Sequence, residues 1–131
     1  MNVRLDGIMV WVENVSETVD FYMKAFGFEV VMMSDEKDYA QMKTGETTLA
    51  FAHEGAALTS GVAIQINRAS NDAPAIQLAL VAEDVDTAFA RALEAGAMKV
   101  VDIVEKPWGQ RLGYVRDLNG LLVELSSPAA W

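Results

Sequence analysis

Cysteine is missing from the 131 residues, histidine occurs once, and ten basic residues face nineteen acidic ones. Without cysteine there is no thiolate to ligate a metal or attack a substrate, and the composition fits a cytoplasmic chain. The net charge of −9 opposes a phosphate backbone and excludes nucleic acid as a partner. No apolar run approaches the roughly 20 residues of a bilayer span, which excludes the membrane, and the start M-N-V-R-L-D leads straight into a strand pattern. Glycine-rich phosphate loops are absent. Ser16, Ser34, Ser60 and Ser70 fall at caps or in loops, outside any nucleophile-elbow pattern.

A repeat is present. Residues 12–22 read V-E-N-V-S-E-T-V-D-F-Y, and about 70 residues later 82–92 read A-E-D-V-D-T-A-F-A-R-A. Each copy closes a short apolar stretch and opens a helical pattern. A strand is expected at Gly7–Val12, a helix from Val15 to about Phe26 capped by Asn14 or Ser16 and ended by Gly27, and strands at Phe28–Met33, Tyr39–Met42 and Thr47–Ala52. The second copy gives a strand at Ala75–Val81, a helix at Val85–Glu94 capped by Asp84 and ended by Gly96, and strands at Lys99–Val104, Gln110–Val115 and Leu121–Leu125. D-L-N-G at Asp117–Gly120 is a tight turn. Each half is thus β-α-β-β-β. The expected organisation is one α+β domain over 1–131, with modules at 5–53 and 75–127. The connector 54–74 carries a short candidate strand at Gly61–Ile66. Met23, Met32 and Met33 read as core filling. A chain of this length buries about two-thirds of its unfolded surface and needs no disulfide or structural metal.

Alternation on the first strand puts Gly7, Met9 and Trp11 on one face and Ile8, Val10 and Val12 on the other. His53 stands where the first module ends and a loop begins, a surface position rather than that of a ligand.

The repeated strand-to-helix segment, together with the ending P-W-G-Q-R-L-G-Y-V-R-D-L-N-G-L-L-V-E-L, resembles the glyoxalase/bleomycin-resistance/dioxygenase (vicinal oxygen chelate) superfamily over nearly the whole chain. The resemblance implies paired βαβββ modules whose mixed sheets form a cup, and commonly a homodimer. In its metal-dependent members a divalent ion is held by His, Gln or Glu side chains at four strand positions. Those positions fall here on Gly7, Ala50, Gln77 and Glu124. Glycine and alanine bring no donor, so the expectation is no metal and no cofactor. The resemblance also turns Met9, Trp11, Leu112, Tyr114, Glu124 and, more loosely, Trp108 toward the cup. Such a lining suits a small aromatic or cationic molecule. Glu124 paired to Arg111 or Arg116 is the structural alternative for that carboxylate.

The function expected on these grounds is a metal-independent small-molecule binder, of the drug-sequestering, antibiotic-resistance type. Two alternatives stand beside it. One is a lyase or isomerase like lactoylglutathione lyase, or another metal-dependent superfamily enzyme, favoured by the intact ending. The other is a non-catalytic dimeric assembly or regulatory module.

Overall fold

The structure, a computed structural model, describes residues 1–129. It shows two compact units, Met1–Met23 with Gly27–Ile66, and Lys24–Phe26 with the chain from Asn67 onward. Each holds one mixed four-stranded sheet, and the class is α+β.

In the first unit, strand β1 (Gly7–Val12) leads into helix α1 (Val15–Phe26), then strands β2 (Glu29–Met33), β3 (Tyr39–Lys43) and β4 (Thr48–His53). The sheet order is β1-β4-β3-β2, with β1 parallel to β4 and the other pairs antiparallel. The start of α1 is fixed locally: Asn14 Oδ1 accepts from the Glu17 amide at 2.9 Å, which supplies one of the free first-turn N–H groups with a partner. Ser16, the other candidate, lies inside the helix. Gly27 adopts φ 72°, a left-handed conformation that costs a residue without Cβ little, and returns its amide to the Met23 carbonyl. Replacing Asn14 by alanine is expected to lower stability by about 1 kcal/mol in a denaturant titration, and Asn14→Asp to retain most of it.

The core face of this sheet carries Val10, Val12, Leu49, Phe51, Ala40 and Met42, all buried. Tyr22 from α1 packs on it, its ring 5.0 Å from Phe51 and 6.2 Å from Phe28. The opposite face carries Met9, Trp11, Tyr39 and Gln41, which alternate with the buried set as strand geometry requires.

The second unit repeats the plan: β5 (Gln77–Val81), α3 (Val85–Glu94), β6 (Met98–Glu105), β7 (Arg111–Arg116) and β8 (Leu122–Ser126), in the order β5-β8-β7-β6. Asp84 caps α3, accepting from the Thr87 amide at 3.1 Å and its hydroxyl at 2.7 Å. The Thr87 hydroxyl and then its amide hold the Asp84 carboxyl below its ordinary pKa. The Asp117–Gly120 turn forms as expected, with the buried Asp117 Oδ1 accepting from the amides of Asn119 and Leu121 at 2.8 and 2.9 Å. Leu78, Val115, Val123 and Leu125 form the buried face of this sheet, and Val85, Phe89 and Ala92 the buried side of α3.

Two expectations are corrected. The strand expected at Gly61–Ile66 does not form; the connector instead makes a short helix α2 (Gly55–Thr59) that buries Ala57. Gly61 then turns the chain at φ 76°, and 62–66 pair with neither sheet. The three methionines are not core filling: Met23 is exposed because Val15, Val19 and Tyr22 take the buried side of α1, while Met32, exposed, and Met33, half-buried, lie on the edge strand β2. No helix among the described residues is long and apolar enough to cross a membrane.

Candidate functional site

On the second sheet, register decides which side chains share a neighbourhood. Ala79 pairs with Glu124 and Tyr114 with Glu124, so the row Ala79–Glu124–Tyr114 crosses three strands on the face away from the core. The adjoining row is Gln77–Leu122–Arg116. Gln77 lies diagonally from Glu124, near enough for its Nε2 to donate to Glu124 Oε2 at 3.0 Å. The Tyr114 hydroxyl donates to that same oxygen at 3.1 Å. Two side chains, from β5 and β7, thus converge on one carboxylate oxygen of β8. Among the described residues, Glu124 Oε1 has no hydrogen-bond partner.

The arginine pairing set out as the alternative for Glu124 is not what forms. Arg111 makes a two-point bridge to Asp86, with Nη2 donating at 2.7 Å and Nε at 3.2 Å. Arg116 turns its guanidinium to backbone carbonyls, those of Gly120 at 2.8 Å and Asn71 at 2.7 Å. Both cations are drawn to partners nearer their own strand ends. The partners of Glu124 are neutral donors, and among the described residues no cation forms an ion pair with it.

Partial removal from water, and then the Glu124 carboxylate that holds its proton, raise the Tyr114 hydroxyl above its ordinary pKa. A raised value in the folded state means that the folded chain binds this proton more tightly than the unfolded one. The stabilisation is complete below about pH 10, the unfolded phenol value, and is lost as pH rises through the folded value. Titration of ring-labelled tyrosine by NMR is expected to place Tyr114 above the ordinary phenol range, and Glu124→Gln to bring it down. An unchanged midpoint in that variant would contradict the assignment.

The remaining expected lining residues are placed as follows. Leu112 pairs with Ser126 on the Glu124 side of β7 but is only 7% exposed. Trp108 lies in the turn between β6 and β7, half exposed, with its indole N–H donated to Gln110 Oε1 at 2.9 Å. On the first sheet Met9 and Trp11 share a face, Met9 opposite Ala50 and Trp11 opposite Ala52. His53 is exposed, and its Nδ1 accepts from the Gly55 amide at 3.1 Å, a role at the start of α2. Sequence reading passed over Tyr39 and Gln41, which stand beside these alanines on β3. Their alternation with the buried Ala40 and Met42 was the available signal.

The family model described as the Glyoxalase/Bleomycin resistance protein/Dioxygenase superfamily matches residues 4–125. The chain belongs to this superfamily. No curated protein sequence matches it. Solved structures share the fold at low identity. One is a glyoxalase-related enzyme from Fulvimarina pelagi, 19% identical with TM-score 0.82, covering 97% of this chain and 89% of that one. Another is a glyoxalase/bleomycin resistance protein/dioxygenase family enzyme from Burkholderia phytofirmans PsJN, 16% identical with TM-score 0.79, covering 95% and 98%. TioX from Micromonospora sp. ML1 is 24% identical with TM-score 0.72, covering 95% and 98%.

Metal-dependent members of the superfamily set the question of an ion. In the first module Gly7 and Ala50 supply no donor, and the register puts Ala50 where the second module has Glu124. A Cβ at Gly7 would lie 2.7 Å from the Thr48 carbonyl oxygen, so the backbone itself is closed to a side chain there. The second module supplies one amide and one carboxylate, already bonded to each other. Among the described residues no three His, Cys, Asp or Glu side chains are grouped so that they could hold a metal ion. A catalytic transition metal needs about three protein donors, usually with imidazole. These residues do not fit one.

Proposed function

We propose that this superfamily member is a small-molecule receptor that works without a metal and captures an aromatic compound carrying a cationic group, in the manner of a drug-sequestering protein. The observation that carries the reading is the Glu124 carboxylate. It is held in place by Gln77 and Tyr114 through one oxygen, while among the described residues the carboxylate has no ion-pair partner. An ammonium or amidinium group supplies what the two neutral donors do not, and a hydrogen bond to a charged group contributes about 1.5–3 kcal/mol. Tyr114 orients the carboxylate and offers a ring edge beside it.

The test is calorimetric titration with aromatic amines, benzylamine first, against the wild-type chain and Glu124→Gln. Binding is expected to weaken about tenfold or more in the variant and to fall with added salt. Equal affinity in both proteins, or no amine bound at all, overturns the reading. Purified protein carrying one equivalent of a transition metal would overturn the metal-independent part.

A further inference from the structure

Arg116 is a cation within reach of Glu124 that is held elsewhere. It ends β7, two positions from Tyr114 and on the same face of the sheet, in the row beside the one that holds Glu124. Gln77 on one flank of β8 and Arg116 on the other are each one row removed from Glu124. The Gln77 amide spans its diagonal and reaches Glu124 Oε2 at 3.0 Å. Diagonal neighbours of this kind lie about 7–8 Å apart, a span that the longer arginine side chain also covers. Instead its three nitrogens donate to main-chain carbonyls: Nε to Gly120 at 2.8 Å, Nη2 to Asn71 at 2.7 Å and Nη1 to Ala69 at 3.4 Å. Two of these acceptors belong to the connector, where the Asn71 amide closes a turn by donating to the Arg68 carbonyl at 3.1 Å. That carbonyl sits against the β7–β8 turn, since a Cβ added at Gly120 would lie 2.7 Å from its oxygen. Gly120 has φ 86°, so both backbone and room call for glycine there. All of these residues lie in the second unit. Arg116 is thus a clasp that seats the connector turn 68–71 on the Asp117–Gly120 turn.

We propose that this connector turn regulates the carboxylate site: seated, it keeps Arg116 off Glu124, and unseated, it releases Arg116 to pair with Glu124 and close the site to a cationic ligand. The proposal rests on Glu124 as the anchor of such a ligand and adds the regulation of that anchor. A carboxylate is the stronger acceptor for a guanidinium, charged and able to take two parallel hydrogen bonds. Arg116 stays on neutral carbonyls because three are presented together, and two of the three leave with the connector. One guanidinium cannot keep the Ala69 and Asn71 carbonyls while forking onto Glu124, so the two states exclude each other.

Gly120→Ala, which crowds the Arg68 carbonyl, unseats the connector in the full chain. Asn71→Pro, which removes the amide that closes the connector turn, takes its place should thermal unfolding show that Gly120→Ala does not fold. Benzylamine, titrated by calorimetry, is expected to bind the unseated variant about tenfold or more weakly than the wild-type chain, and adding Arg116→Met to restore it to within about twofold. Damage to the fold alone would not be repaired by a second substitution. Tyr114 supplies a readout without ligand. The Glu124 carboxylate helps its hydroxyl keep its proton, so a guanidinium on that carboxylate is expected to lower the midpoint of the ring-labelled tyrosine, and Arg116→Met to raise it again. An unchanged Tyr114 midpoint in the folded unseated variant, or a change that Arg116→Met does not reverse, overturns the proposal. If benzylamine binds the wild-type chain through Glu124 and unseating leaves its affinity unchanged, the regulation fails and the carboxylate site stands. If benzylamine does not bind the wild-type chain, the carboxylate reading fails, and the Tyr114 midpoint alone decides whether Arg116 moves.

Discussion

Phe51→Ala is expected to lower the stability of the chain by about 3–5 kcal/mol, read from the midpoint shift of a urea titration. Phe51 is fully buried on β4, the strand that pairs with β1 on one side and β3 on the other. Its ring lies 5.0 Å from that of Tyr22, which in turn meets Phe21 edge-on at 5.2 Å. Truncation removes the transfer free energy of a phenyl group and leaves a hole that a two-sided strand cannot close by shifting, because any shift breaks one ladder or the other. Folded domains hold only about 5–15 kcal/mol in all, so a large share would be lost. Phe51→Leu should recover more than half of it. A cost below about 1.5 kcal/mol for the alanine variant would mean that Tyr22 and α1 collapse into the space, against the packing described.

Gly7→His should destabilise the fold by about 1–3 kcal/mol and still gain no metal. Position 7 is where the superfamily's metal-dependent members place their first ligand, so the substitution looks like a restoration. The local geometry says otherwise. The added Cβ would meet the Thr48 carbonyl oxygen at 2.7 Å and the Thr48 Cβ at 3.0 Å, and the first of these is backbone in the strand paired with β1. Accommodation requires β1 and β4 to separate at their start. The register position in its own module equivalent to Glu124 is Ala50, which brings the imidazole no carboxylate. Thermal unfolding with elemental analysis of the purified variant checks both halves. A variant as stable as wild type that binds one equivalent of zinc would refute the account.

The residues of the candidate site were legible one by one but not as a group. Glu124, Gln77 and Tyr114 stood out through the superfamily pattern. That Gln77 and Tyr114 share one oxygen of Glu124 could not be read, and neither could the diversion of Arg111 to Asp86 and of Arg116 to loop carbonyls. Those outcomes depend on contacts between groups as many as 47 positions apart in the chain. The Tyr39–Gln41 pair escaped notice for a similar reason: its meaning lies in the alanines opposite, and those belong to another strand.

By itself the sequence determined whatever closes within a few residues: the cap at Asn14 or Ser16, the Asp84 cap, the Gly27 stop, the Asp117–Gly120 turn, the duplicated β-α-β-β-β order and the two faces of the first strand. Such features need only nearby donors, acceptors and backbone freedom. The tertiary structure alone decided register and partnership, setting Ala50 opposite Met9, Glu124 opposite Ala79 and Tyr114, and leaving Gly61–Ile66 outside both sheets. Strand side chains repeat every two residues, so a slip of two keeps every residue on its proper face. Only the packing of one strand against the next chooses among such slips, and with that choice it determines which groups meet.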